Sequence, residues 1–136
     1  MSVAIEILLP HRAPMLWIDA ITTCSETTAT ATVVLGADHF ALADGSLLET
    51  ALVECVAQTV AAALGQRSQT RGQPGRARSG MLAAVSNFRI HSRAPMGKTL
   101  RVEVTELKRF GPMLLVSGIV SSDGQTLASG ELTLYA

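Results

Sequence analysis

Glu54 is a carboxylate in the middle of an apolar stretch, flanked by Val53 and Cys55, with no Lys or Arg within four residues on either side. An ionised group among apolar side chains is costly unless it is paired or used. Desolvation raises the pKa of such a carboxyl, which is how a general acid is kept protonated near neutral pH. Gln58 follows one helical turn later and lies on the same face. The plainer alternative is a solvent-facing polar stripe of Thr50, Glu54 and Gln58.

The remaining polar candidates are scattered. His39 stands in a loop ahead of the apolar stretch, where a lone histidine is commonly a surface residue. His11 lies between Pro10 and Pro14, whose rigidity makes its imidazole a turn anchor, and His91 falls between strands. Gly45 and Ser46 present backbone N–H groups at the expected helix start, a place for a carbonyl oxygen or an anion. There is no Gly-x-Ser-x-Gly, no phosphate-cradling glycine loop and no metal-ligand spacing. Cys24 and Cys55 have no flanking Cys or His and read as reduced structural thiols, in keeping with the cytosol.

Positioning these groups falls to one helix and a set of strands. Residues 46–64 contain no Gly or Pro and are apolar almost all round, the pattern of a buried helix. Ser46 with Glu49 has capping-box spacing, and Gly65 reads as the C-terminal stop. A short helix or turn over residues 2–9, stopped by Pro10, and strands at 15–24 and 27–35 precede it. Residues 66–80 form a polar loop carrying Arg67, Arg71, Arg76 and Arg78 and no acid, either a solvated loop or a grip for an acidic partner. Strands follow at 81–90, 99–107, 113–121 and 126–135, the last two joined by an Asp123-Gly124 turn. One helix with a run of antiparallel strands is an α+β layer fold.

The 136 residues make one domain, 1–136, with 11 basic and 11 acidic side chains. That balance excludes the basic footprint of a nucleic-acid binder. No run approaches a membrane span, and residues 1–20 lack a signal-peptide core. The apolar share, 48%, is high for a chain this small, so self-association is expected.

The run from Leu8 to Asp19, Leu-Leu-Pro-His-Arg-Ala-Pro-Met-Leu-Trp-Ile-Asp, resembles the opening of β-hydroxyacyl-(acyl carrier protein) dehydratases of the FabZ/FabA type. Glu54-Cys55-Val56-Ala57-Gln58 resembles their helix motif Glu-Ala-x-Ala-Gln, and the later strands follow the same order. The resemblance implies a hotdog fold, a long helix wrapped by an antiparallel sheet. It implies a homodimer or an assembly of dimers, with a loop histidine of one subunit facing the helix carboxylate of the other. It implies loss of water from a 3-hydroxyacyl thioester on an acyl carrier protein, giving the trans-2-enoyl thioester without a metal or organic cofactor. On that reading Glu54 is the acid and His39, which begins a His-Phe segment, is the base. Gln58, Gly45, Ser46 and His11 would line the substrate, and the four arginines would dock the carrier.

Departures from that pattern are informative. His39 precedes Glu54 by one position more than in the family, and Ala41-Leu42 and Ala43-Asp44-Gly45-Ser46 replace its Pro-Gly pairs. Glu49 occupies the place of the helix-start glycine, so the family's backbone donor does not carry over. The Leu-Pro-His-Arg-x-Pro-Met opening and the Asp-Gly ahead of the helix glutamate look like the divergent ApeP-type proteins of aryl polyene pathways. In these the loop histidine is not constant and pairing with a second hotdog subunit is plausible. Three functions fit: the dehydratase, a non-catalytic partner subunit of a hetero-oligomeric dehydratase, and an acyl thioesterase.

Overall fold

The computed structural model describes residues 4–39, 41–72 and 81–135. Arg76 and Arg78, expected in the polar loop, lie outside these residues. A single turn of helix, α1 (Ile5–Leu8), opens the described chain and leads into Pro10. Strands β1 (Ala20–Cys24) and β2 (Thr28–Val34) come next, then a small hairpin of β3 (Leu42–Ala43) and β4 (Ser46–Leu47). The long helix α2 spans Glu49–Thr70, and β5 (Met81–Ile90), β6 (Thr99–Phe110), β7 (Met113–Ser122) and β8 (Gln125–Tyr135) complete the chain.

Six strands form one antiparallel sheet in the order β1-β2-β6-β7-β8-β5. Alternation builds its inner face: Ala29, Ala31 and Val33 on β2, Leu100, Val102 and Val104 on β6, Leu114, Val116 and Val120 on β7, all buried. Helix α2, about 33 Å long at 1.5 Å per residue, touches all six strands and supplies Leu52, Cys55, Val56 and Val60 to the same core. Gly118 on β7 allows this approach, since a Cβ there would lie 2.5 Å from Val56 Cγ1. This is the hotdog arrangement.

Both ends of α2 differ from the expectation. Ser46 does not cap it: Ser46 and Leu47 pair with Ala43 and Leu42, and Leu47 N–H donates to the Ala94 carbonyl. Those bonds hold the chain extended until Leu48, so the helix starts at Glu49. Asp44 and Gly45, with φ of 52° and 77°, form the turn of the β3–β4 hairpin. Gly65 is not a stop but an interior residue, because a Cβ there would come within 2.8 Å of the Leu8 carbonyl oxygen. The absent side chain lets α1 rest on α2, and the helix runs on through the first part of the expected loop.

Among the described residues β5 pairs with β8 alone and is one of the sheet's two edges, β1 being the other. Met81, Leu82 and Val85 on it are 67%, 39% and 47% exposed. The strand's first half is the apolar part, while Ser86, Asn87 and Arg89 and the register shift between Ser86 and Arg89 break up the second half.

Candidate active site

Gln58 organises the site. Its side chain is buried, and four bonds fix its orientation. The amide oxygen accepts from Trp17 N–H at 2.9 Å and Ile18 N–H at 3.4 Å. The amide nitrogen donates to the Met15 carbonyl at 2.8 Å and to Glu54 Oε2 at 2.9 Å. Backbone N–H groups donate only, so nitrogen and oxygen of this amide cannot be exchanged. Residues 15–18, expected to begin a strand, are instead tied to α2 by this side chain, and β1 starts only at Ala20.

The segment before them folds onto the same carboxylate. Arg12 turns back to donate to the carbonyls of Glu6, Leu9 and His11, and Trp17 Nε1–H donates to Pro14 O at 2.8 Å. Asp19 Oδ2 accepts from Val34 N–H at 2.6 Å, anchoring the segment on β2. The outcome is that His11 Nε2 stands 3.6 Å from Glu54 Oε2, while His11 Nδ1 is buried with no partner among the described residues. Glu54 itself is only partly buried: its side chain is 34% exposed, so its enclosure is less complete in the single chain than the sequence suggests. The helix is apolar, but Glu54 lies on its partly open side.

His39 joins the cluster through Trp17, with ring centroids 5.3 Å apart. Its Nδ1 accepts from Ala41 N–H at 3.1 Å, so the neutral ring carries its hydrogen on Nε2. Burial holds its pKa below the ordinary 6.5, against the opposing pull of Asp19 and Asp38. Nε2 is buried without a partner among the described residues.

The family model for ApeP-like proteins, described as ApeP dehydratase, matches residues 3–136. The chain belongs to the ApeP-like dehydratase family. No curated protein matches it significantly. Among solved structures, a chain of the dehydratase heterocomplex ApeI:P from Xenorhabdus doucetiae is similar with a TM-score of 0.90 and 23% identity, over 99% of this chain and 91% of that one. The E. coli PaaI protein from the phenylacetic acid degradation operon has a TM-score of 0.66 and 16% identity, over 85% and 81%. Thioesterase superfamily member 2 from Mus musculus has a TM-score of 0.65 and 14% identity, over 84% and 78%. At these identities the likeness shows the hotdog fold.

Within this ApeP-like chain, Glu54, Gln58 and His11 come together and His39 adjoins them only through the Trp17 ring, whereas Gly45 and Ser46 do not head the helix. Gly45 O accepts from Met96 N–H at 3.0 Å, and Ser46 forms a bridge with Pro95, so both are spent on the hairpin's own packing. Of the four arginines, the two among the described residues both have partners. Arg67, only 10% exposed and on α2 rather than in a loop, donates to Ser25 O at 2.7 Å and pairs with Glu106 at 3.7 Å. Arg71 pairs with Glu26 at 2.8 Å on the surface. Trp17 and the Met15 carbonyl were not picked out as site groups from sequence; a Gln in an apolar helix, needing four partners, was the signal for them. Among the described residues no three His, Cys, Asp or Glu side chains gather as a metal group, and no helix is long and apolar enough to cross a membrane.

Proposed function

We propose that this ApeP-like chain dehydrates 3-hydroxyacyl thioesters carried on acyl carrier protein, at a site that a second hotdog subunit completes. The observation that carries the reading is the carboxyl of Glu54 held by a Gln58 whose own orientation cannot change. In the reaction an imidazole takes the proton beside the thioester carbonyl, and Glu54 protonates the departing hydroxyl, which leaves as water. The products are the trans-2-enoyl thioester, an imidazolium and a Glu54 carboxylate, and proton return to the carboxylate resets the site.

The need for a second subunit rests on two features. Among the described residues no strand pairs with the outer side of β5, where Met81, Leu82 and Val85 are exposed, and Glu54 is still a third exposed. A homodimer and a pair with a hotdog paralogue both meet that need. His39 favours the second. Its Nδ1 is occupied by Ala41 N–H, so Nε2 is a donor, and the ring must break that bond to act as base. A partner that contributes its own imidazole removes the difficulty, and this chain then supplies the acid. For carrier docking, Arg71 is more available than Arg67, because an exposed ion pair such as Arg71–Glu26 contributes little and is easily exchanged.

The test is to offer a 3-hydroxyacyl thioester on carrier protein to the chain alone and with a co-expressed hotdog paralogue, following enoyl absorbance and loss of water by mass. Glu54→Gln should lower turnover by about 100-fold or more. Full activity in that variant removes Glu54 from the mechanism. Release of free thiol without enoyl product makes the chain a thioesterase.

A further inference from the structure

We propose that His11 is a positioning residue for Glu54 rather than a contact for substrate, and that with Gln58 it confines the transferable proton to Glu54 Oε1. This deepens the dehydratase reading and rests on it. A carboxylate oxygen offers two lone-pair directions. At Oε2 one is taken by Gln58 Nε2–H at 2.9 Å, a donor that the backbone of Met15, Trp17 and Ile18 prevents from turning. His11 Nε2 approaches the same oxygen, at 3.6 Å, and a small rotation of either side chain closes that gap to a hydrogen bond.

The ring's other nitrogen decides which way the hydrogen points. Nδ1 is buried with no partner among the described residues. A hydrogen there would be a buried donor without an acceptor, which is costlier than an unused lone pair. The neutral imidazole therefore carries its hydrogen on Nε2, directed at Glu54. With both directions at Oε2 filled by donors, a proton on that oxygen would meet two N–H groups head-on. It resides on Oε1 instead.

Without His11, Gln58 fills one direction only, and the acid proton divides between the two oxygens. A proton on Oε2 points toward Gln58 and the loop rather than toward substrate. Arg12 holds His11 in place by donating to its carbonyl at 2.7 Å and to Leu9 O at 2.8 Å.

Two measurements test this. Long-range ¹H–¹⁵N spectra of the full chain, taken where the imidazoles are neutral, should show His11 as the Nε2–H tautomer, with its Nε2 resonance shifted in Glu54→Gln. A Nδ1–H tautomer overturns the proposal whether or not the chain is an enzyme. In the dehydration assay, His11→Leu should lower kcat by about tenfold with KM within about twofold. His11→Gln, which returns an N–H donor near the Nε2 position, should stand at least about threefold above His11→Leu. A rise in KM at unchanged kcat, the mark of a substrate contact, overturns the proposal, as does an equal loss in the Gln and Leu variants. If no dehydration occurs under any condition, the dehydratase reading falls and the spectra still decide His11.

Discussion

Gln58 Nε2 lies 2.9 Å from Glu54 Oε2 on the next turn of α2, and the same amide binds three backbone groups of the segment from Met15 to Ile18. One side chain therefore couples the carboxyl to the strap that bears Trp17. Replacing it with Leu leaves Trp17 N–H and the Met15 carbonyl without partners in a buried place. We expect Gln58→Leu to lose about 3 kcal/mol of stability, read from urea unfolding. Gln58→Glu should lower both stability and activity, because it buries a second carboxylate against Glu54 and turns an acceptor toward the Met15 carbonyl.

His39 supplies a pH prediction. Burial lowers its folded-state pKa below the 6.5 it has when unfolded. The unfolded chain thus takes up a proton first as pH falls. The sign follows: this contribution to stability is complete above 6.5 and is lost as pH drops through the folded midpoint. An NMR titration should place the His39 midpoint below 6.5, and urea midpoints should fall more steeply in acid for the wild type than for His39→Gln. A midpoint above 6.5 contradicts the burial account.

Gly65 separates helix propensity from packing. Alanine forms helix better by about 1 kcal/mol, so propensity alone makes Gly65→Ala stabilising. The added Cβ would meet the Leu8 backbone, which cannot move aside as a side chain can. A net loss of about 1–3 kcal/mol is expected, visible as a lower Tm. A raised Tm would mean that α1 yields easily.

The two thiols should react in sequence. Cys55 is fully buried, and burial beside Glu54 and Asp19 pushes its thiol up to about 12. Cys24 is partly exposed, with its pKa raised by burial and moderated by Arg67. Iodoacetamide should label Cys24 slowly in the native protein and Cys55 only at the rate of unfolding. Native labelling of both, monitored by mass, would show that the core opens locally around α2.

Much of this was legible beforehand, and the misses share a physical origin. Leu100, Val102 and Val104 alternate with Arg101, Glu103 and Thr105, which marked β6 because one of its faces is wet, and the apolar run marked α2 because its neighbours cover it nearly all round. Glu54 stood out for the same reason. What could not be read was whatever depends on distant partners. Ser46 looks like a cap until Ala43 and Pro95 claim it. Gly65 looks like a stop until Leu8 arrives from the other end of the chain. Arg67 looks solvated until Ser25 and Glu106 surround it. His11 resembled a turn anchor, and its approach to Glu54 depends on the fold of the whole segment up to Asp19.

The β5 edge bears on how a cell must handle this chain. Met81, Leu82 and Val85 are exposed on a strand paired on one side only among the described residues, the kind of edge to which other free ladders can add. Newly made chains are thus in a race between correct capture and clumping, and supply of the covering strand sets the outcome. Producing the chain in excess should leave insoluble material in proportion to the shortfall, so gene dosage becomes a structural variable.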